Sequence, residues 1–298
     1  MPSRRTVLRA VSVVLLGGAI AAVYVVTGLT RSINFHDEGF AVYAAVRVLE
    51  GEVPYRDFWT VHPPGQWYTL AAVFKLFGSS LLAERIWDAL VRGAFLFTLY
   101  AFACRLTSPR VALVPGVVIF VYLGATPFYA YMMFPALLLS MLSGLLLLAH
   151  ARDPRVRWLV GAGLCVGLTA LYRHDVAFYA AAAAGATLVA RTLVGRRGAG
   201  AVIRALAPFA GGAAAIALPA AAILLSAVPA GVLWEHLFVY PARLARSLRS
   251  LPLPPLWINP VTALQGRESL REYLMLVLDG WIPVYFPLIA YALGGAVS

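Results

Sequence analysis

Charged residues are scarce in this chain of 298 residues. Aspartate, glutamate, lysine and arginine together make up 12% of the sequence, whereas 61% of it is hydrophobic. A soluble globular domain carries about 25% charged residues. The composition therefore excludes an ordinary soluble domain and indicates an integral membrane protein.

Cysteine and lysine are rarer still. Cys104 and Cys165 both fall inside apolar runs, which argues against a disulfide framework and against a thiolate metal site. Lys75 is the only lysine, so the formal net charge of +11 is almost entirely arginine. That charge alone would suggest a nucleic-acid partner. Membrane topology explains it better, and no nucleic acid is expected.

Long apolar runs are what the chain has in abundance. About 20 apolar residues in a helix cross the roughly 30 Å of a bilayer core, and eight segments approach that length. They are 7–29, 82–105, 111–128, 131–149, 158–172, 176–193, 203–228 and 281–296. The start of the chain resembles a twin-arginine export signal, but the spans that follow favour an uncleaved first helix. We predict an all-α membrane protein of about eight transmembrane helices, in a single domain over residues 1–298.

The distribution of arginine predicts the orientation of these spans. Short cytoplasmic loops carry the arginine excess of a membrane protein. With a cytoplasmic amino terminus, the inside segments contain twelve arginines and one acid, Asp153. We therefore expect a multi-pass protein of the cell membrane, whose exterior face includes the loop 30–81 and the segment 229–280.

The densest polar chemistry lies in residues 34–78, which we call the platform. It contains five of the thirteen carboxylates of the chain: Asp37, Glu38, Glu50, Glu52 and Asp57. The spacing predicts a short helix over Phe40–Leu49, capped by Asp37. It also predicts an interfacial helix over 67–77, with Trp67 and Tyr68 in the headgroup belt. The turn Arg173-His174-Asp175 and the segment 229–280 are expected on the same face.

Four motifs of the chain occur in an order that is known from a family. They are HDEG at 36–39, GEVPYRDFW at 51–59, HPPGQWYTLAAVFKLFG at 62–78, and a second span that contains arginine. This order resembles the lipid-dependent glycosyltransferases of the C superfamily, particularly bacterial relatives of the protein O-mannosyltransferases and lipid A aminoarabinose transferases. The resemblance covers roughly residues 5 to 230.

The resemblance implies a catalytic site on the exterior loops. Asp37 matches the aspartate that lies by the acceptor, with Glu38 beside it, and Asp175 is the available second acid. Asp175 follows the fifth span rather than the third, which departs from the best-known members. The candidates for binding the carrier phosphate are Arg56, Arg173, His174, Arg243 and Arg246. The resemblance leaves the need for a divalent cation open.

Each of these residues also has a purely structural interpretation. Asp37 is also suited to cap a helix, and Glu38 to pair with Arg31 or Arg47. Arg173 and Asp175 can form a simple ion pair. The later arginines are suited to contact lipid headgroups.

Three further residue groups also have a structural interpretation. Arg56 and Asp57 are suited to hold the loop together. In the second span, the charged residues are spaced for pairing within one helix. They are Glu84, Arg85, Asp88 and Arg92.

The implied function is transfer of a hexosyl or pentosyl group from a polyprenyl-phosphate carrier to a lipid, glycan or protein acceptor, in contact with membrane lipids. The alternative is a non-catalytic or truncated membrane module that binds carrier lipid or assembles with a partner. A transporter ranks last, because these charges sit at one edge and no related halves are evident.

Overall fold

A computed structural model describes residues 17–28 apart from 19 and 21, together with 32–125, 129–195 and 198–248. Within these residues the regular structure is helical, apart from an isolated bridge between Pro54 and Phe58. The helices are α1 (within 17–28), α2 (Phe40–Leu49), α3 (Gly65–Phe77), α4 (Leu81–Leu106), α5 (Pro109–Ala125), α6 (Met133–Arg152), α7 (Val156–Tyr172), α8 (His174–Val194), α9 (Ala199–Ala227), α10 (Ala230–Trp234) and α11 (Tyr240–Leu248). Short π-helical turns, Phe35–Gly39 and Glu235–Val239, precede α2 and α11.

The described helices match the second to the seventh predicted spans. Those long and apolar enough to cross a membrane are Leu81–Leu106, Met133–Arg152, His174–Val194 and Gly200–Ala227, and the shorter apolar ones are Pro109–Gly124 and Val156–Tyr172. The prediction of an all-α membrane protein is confirmed. The predicted span 281–296 lies outside the described residues, so the number of eight spans stays a prediction.

The chain divides into two compact units, Met1–Pro241 and Ala242–Ser298. All contacts discussed below lie within the first unit. The prediction of a single domain over 1–298 stays a prediction.

A glycine seam joins α7 to α9. A Cβ atom on Gly167 would lie 2.6 Å from the carbonyl oxygen of Ala213, and one on Gly163 would overlap the carbonyl of Phe209. From the other side, a Cβ on Gly212 would overlap the carbonyl of Val160. Small residues at these crossings let the two backbones approach closely, which is how helices pack in a membrane.

Arginines close one end of the bundle, which we call the arginine end. A terminal nitrogen of Arg152 donates to the carbonyl of Arg105 at 3.2 Å, and Arg191 donates to the carbonyl of Ala151 at the same distance. Both acceptors lie at the carboxyl ends of helices, where carbonyl groups lack helical partners and the helix dipole favours positive charge. These arginines therefore stabilise helix ends as well as marking one side of the bundle.

Two details of the platform differ from the prediction. Trp67 is fully buried, in a cluster with Ala45, Phe58 and Phe74, so its predicted place in the headgroup belt is wrong. Amphipathic spacing shows that α3 has an apolar face but not whether that face meets lipid or protein. The predicted cap at Asp37 is also wrong, because Asn34 supplies the capping oxygen one turn earlier.

The glycine seam makes a testable prediction with a control at the adjacent position. Gly212→Ala places a methyl group against backbone, whereas a Cβ on Gly211 would meet nothing within 4 Å. Overpacking costs about 1–3 kcal/mol, while alanine in an open helical position gains up to about 1 kcal/mol over glycine. We expect the unfolding midpoint of the detergent-solubilised protein to fall for Gly212→Ala and to hold or rise for Gly211→Ala. Equal midpoints would contradict the seam.

Candidate active site

The platform is anchored to the turn before α6 and to the end of α7. The side-chain nitrogen of Gln66 donates to the carbonyl of Ala130 at 2.9 Å, and the hydroxyls of Thr69 and Tyr172 share a hydrogen bond of 2.7 Å. Gly65 leaves no room for a Cβ, which would lie 2.5 Å from the carbonyl oxygen of Leu171. The Pro-Pro-Gly bend therefore rests directly on the end of α7, next to Arg173.

The segment after α9 contacts the same end of the bundle. His236 Nδ1 lies 3.0 Å from the carbonyl oxygen of Thr60, which requires the proton on Nδ1. Tyr55 packs with Val228 and Leu233, and burial raises the pKa of the Tyr55 hydroxyl. The platform and the segment 229–240, distant in sequence, therefore meet at the end of the bundle opposite the arginine end.

A short π-helical turn presents Asp37 to solvent. The side-chain oxygen of Asn34 accepts hydrogen bonds from the backbone nitrogens of His36 and Asp37, at 3.1 and 3.2 Å. The side-chain nitrogen of Asn34 donates to Asp37 Oδ2 at 3.1 Å. Asp37 itself is exposed, so its carboxylate is held from one side and open on the other.

Glu38, the neighbour of Asp37, is fully buried. Its carboxylate forms a bidentate ion pair with Arg85 of α4, with Nε to Oε1 at 2.6 Å and the second nitrogen to Oε2 at 3.0 Å. Arg85 also donates to the carbonyl of Gly28 at 2.6 Å and lies over the ring of Tyr129. This ion pair joins the platform to α1 and α4.

The predicted partners of Glu38 differ from the observed one. Arg47 pairs with Glu52 and donates to the carbonyl of Asp57 at 2.9 Å, and Arg31 lies outside the described residues. A pairing between Glu38 and Arg47 is therefore wrong.

The predicted pairing within the second span is correct in part. Arg92 Nε lies 2.5 Å from Asp88 Oδ2, one turn away on α4, and both side chains are buried. Arg85 instead pairs with Glu38 of the platform, and Glu84 is fully buried beside that pair. The charged residues of α4 therefore form two kinds of ion pair. Asp88 and Arg92 pair within the helix, and Arg85 pairs with Glu38 of the platform.

Asp175 lies in the first turn of α8 rather than in a turn between helices. A single residue, Arg173, separates α7 from α8, and its guanidinium pairs with the Asp175 carboxylate at 2.9 and 2.6 Å. This hydrogen-bonded pair raises the pKa of Arg173. Asp175 remains 41% exposed at its side chain, whereas Arg173 is 14% exposed. The predicted ion pair is present, and it leaves the carboxylate partly accessible.

His174 is half-buried, and its ring lies 5.2 Å from the ring of Phe238. Its Nδ1 has no hydrogen-bond partner in the described part of the chain. That nitrogen is buried, and His174 lies between the start of α8 and the segment 229–240.

Arg56 of the platform is half-exposed and pairs with its neighbour Asp57 at 2.8 Å. Hydrogen bonds from Arg56 and from the backbone of Val53 lower the pKa of Asp57 to about 2. The predicted role of this pair in holding the loop together agrees with these bonds, while the outward part of the guanidinium is open to solvent.

Arg243 and Arg246 both lie on α11, in the second unit. Their predicted phosphate role stays a prediction. As for a metal, no group of three or more histidine, cysteine, aspartate or glutamate side chains that could hold an ion occurs among the described residues.

Comparison with protein families decides the class. The family described as dolichyl-phosphate-mannose-protein mannosyltransferase matches residues 61–225, which is more than half of the chain. The chain belongs to this family. Its resemblance to the C superfamily of membrane glycosyltransferases is thereby confirmed, and so is a membrane protein of that type. No curated protein matches the chain.

The family match has an instructive boundary. The matched range begins at residue 61, so it includes the Pro-Pro-Gly bend, α4 and Asp175. Asp37, Glu38 and Arg56 precede it, so their assignment depends on the HDEG and GEVPYRDFW motifs and on geometry. Sequence reasoning missed Asn34, although asparagine is among the most favoured cap residues and stands directly before the turn.

The buried ion pair makes a second prediction. Arg85→Leu leaves the Glu38 carboxylate buried without a counter-charge, which costs about 3–5 kcal/mol. We expect a large fall in the unfolding midpoint in detergent, partly recovered when Glu38→Gln is added.

The matched control is the exposed pair of Arg155 and Asp153 at the arginine end, with side chains 59% and 45% exposed. Removing an exposed pair costs about 0–1 kcal/mol, so Arg155→Leu should change the midpoint little. An equal effect of the two substitutions would contradict an anchoring role of Arg85.

Proposed function

We propose that this membrane glycosyltransferase transfers a hexosyl or pentosyl group from a polyprenyl-phosphate carrier to a lipid, glycan or protein acceptor. The observation that carries the proposal is the exposed Asp37 carboxylate, held on a turn anchored to α4, in a chain of the mannosyltransferase family. The reaction would take place at the platform end of the bundle.

The orientation of that end follows from charge. The described arginines near Ala151 close the opposite end, and short arginine-rich loops stay in the cytoplasm. We therefore place the amino terminus in the cytoplasm and the platform on the exterior face of the cell membrane.

In this reaction Asp37 is the general base. Its carboxylate takes the proton of the acceptor hydroxyl as the acceptor oxygen forms a bond to the anomeric carbon of the sugar. The bond between that carbon and the phosphate oxygen breaks, and its electron pair leaves with the polyprenyl phosphate. Protons and charge balance without a further reactant.

The departing phosphate needs positive charge close to it. Arginine presents a planar fork of donors that matches phosphate oxygens, and the stabilisation is greatest where water is excluded. Arg173, Arg56 and His174 are our candidates for this contact, and the phosphate role predicted for Arg243 and Arg246 stays a prediction from the sequence. The side chain of Arg173 is less exposed than that of Arg56. Its guanidinium would donate hydrogen bonds to both Asp175 and the phosphate.

Asp175 and Glu38 have different parts in this proposal. Asp175 is partly exposed and assists by orienting Arg173. Glu38 is fully buried and bound to Arg85, so we assign it to holding the turn rather than to contact with the substrate. This narrows the predicted catalytic set to Asp37 and Asp175.

The test is sugar transfer by Asp37→Asn in membranes that express the chain, with a panel of radiolabelled lipid-linked sugars as donors. Loss of a general base lowers the rate about 10²–10⁴-fold, and we expect a fall of that size. The matched control is Asp153→Asn, which removes an exposed aspartate at the arginine end and should keep the parent rate. Transfer by Asp37→Asn at the parent rate would overturn the assignment of the base.

A further inference from the structure

The environment of Asp37 contains a residue whose two side-chain functions can be separated. Asn34 uses its oxygen to cap the turn, through the amides of His36 and Asp37, and uses its nitrogen to hold Asp37 Oδ2. Capping needs only an acceptor, which serine also supplies. The bond to Asp37 needs a donor, so it has a different purpose.

Asn34 is itself fixed in place. Its backbone nitrogen donates to Glu38 Oε2 at 3.2 Å, and Glu38 is held by Arg85, which in turn donates to Gly28. Asn34 is therefore connected to the carbonyl of Gly28 in α1 by two hydrogen bonds and one buried ion pair. Its side-chain nitrogen holds Oδ2 of Asp37, on an otherwise exposed carboxylate.

We propose that Asn34 is a positioning residue, which orients the Asp37 carboxylate by occupying Oδ2 so that Oδ1 faces the acceptor hydroxyl. This inference rests on the proposed role of Asp37 as the base. A free aspartate on a solvent-exposed turn rotates about both of its side-chain bonds. A donor on one oxygen selects one rotamer and leaves the other oxygen for the reaction.

The rate consequence follows from alignment. A base contributes fully only within hydrogen-bond reach of the proton it removes, and displacement of a reacting group by about 1 Å costs about 10²-fold. An interaction that aligns the base without contacting the substrate affects kcat and leaves KM unchanged.

The test uses two substitutions that keep the cap. Asn34→Ser retains an acceptor for the backbone amides and loses the donor to Asp37. We expect kcat to fall between about 10-fold and about 100-fold, with KM for the lipid-linked sugar unchanged. Asn34→Asp keeps the acceptor and puts a second carboxylate beside Asp37.

A like charge at this distance disfavours ionised Asp37, so the acid limb of the pH–rate profile of Asn34→Asp should move to higher pH. The other charged groups of the turn stay the same in both variants. They are His36, Glu38 and the partner of Glu38, Arg85.

Ser80 supplies the control, because its hydroxyl accepts from the backbone nitrogen of Ala83 at 3.1 Å and so caps α4 rather than the turn of Asp37. Ser80→Ala removes a cap of the same kind and should keep both kcat and the pH profile. Unfolding midpoints in detergent are measured for all variants.

The outcomes separate the inference from the proposed function. If Asp37→Asn loses transfer but Asn34→Ser keeps kcat within about twofold, positioning by Asn34 is wrong and the base stands. If both Asn34 variants lose midpoint and activity together, with an unshifted pH profile, Asn34 is only a cap and the inference is overturned. If Asp37→Asn keeps the parent rate, the proposed function fails first, and the inference with it.

Discussion

The buried ion pair between Glu38 and Arg85 is the constraint on which the platform depends. Two charges removed from water are costly, and only close geometry with further hydrogen bonds offsets that cost. Here the geometry is bidentate, and Arg85 has additional contacts with Gly28 and Tyr129. The pair links residues 47 positions apart, so the exposed turn with Asp37 has a fixed location relative to α1 and α4.

This arrangement separates rigidity from chemistry. Glu38 and Asp37 are adjacent in the sequence, yet one is fully buried and the other is exposed. A turn in which neighbouring carboxylates face opposite ways can have one acid act as an anchor and the other as a reagent. Asp175 and Arg173 repeat this on a smaller scale, because the arginine is largely covered and the carboxylate is partly open.

The sequence predicted best what depends on local composition. Apolar run length located the six described helices that correspond to the second to the seventh spans, because a bilayer requires a minimum length of helix. The spacing of the charged residues in the second span also predicted the pair of Asp88 and Arg92, because such a pair needs only a separation of four on one helix. The predicted pairing of Glu38 with Arg47 was wrong, because local spacing does not distinguish the distant Arg85 from a nearer arginine.

The sequence also failed to predict which aromatic side chains are buried in the protein. Trp67 has the spacing and the chemistry of an interfacial anchor, but Phe40 packs edge-on against its ring at 5.5 Å and α2 covers it. Which apolar face of a short helix meets protein depends on elements that return from elsewhere in the chain. The same applies to His236, whose contact with Thr60 joins residues 176 positions apart.

The connection between α7 and α8 has a mechanical consequence. With Arg173 as the sole intervening residue, this hairpin has no slack that could absorb an axial shift of α7. The Tyr172 hydroxyl is hydrogen-bonded to Thr69 on one side, and Asp175 lies in the first turn of α8 on the other. One residue inserted between Arg173 and Asp175 would change the spacing on which their ion pair depends.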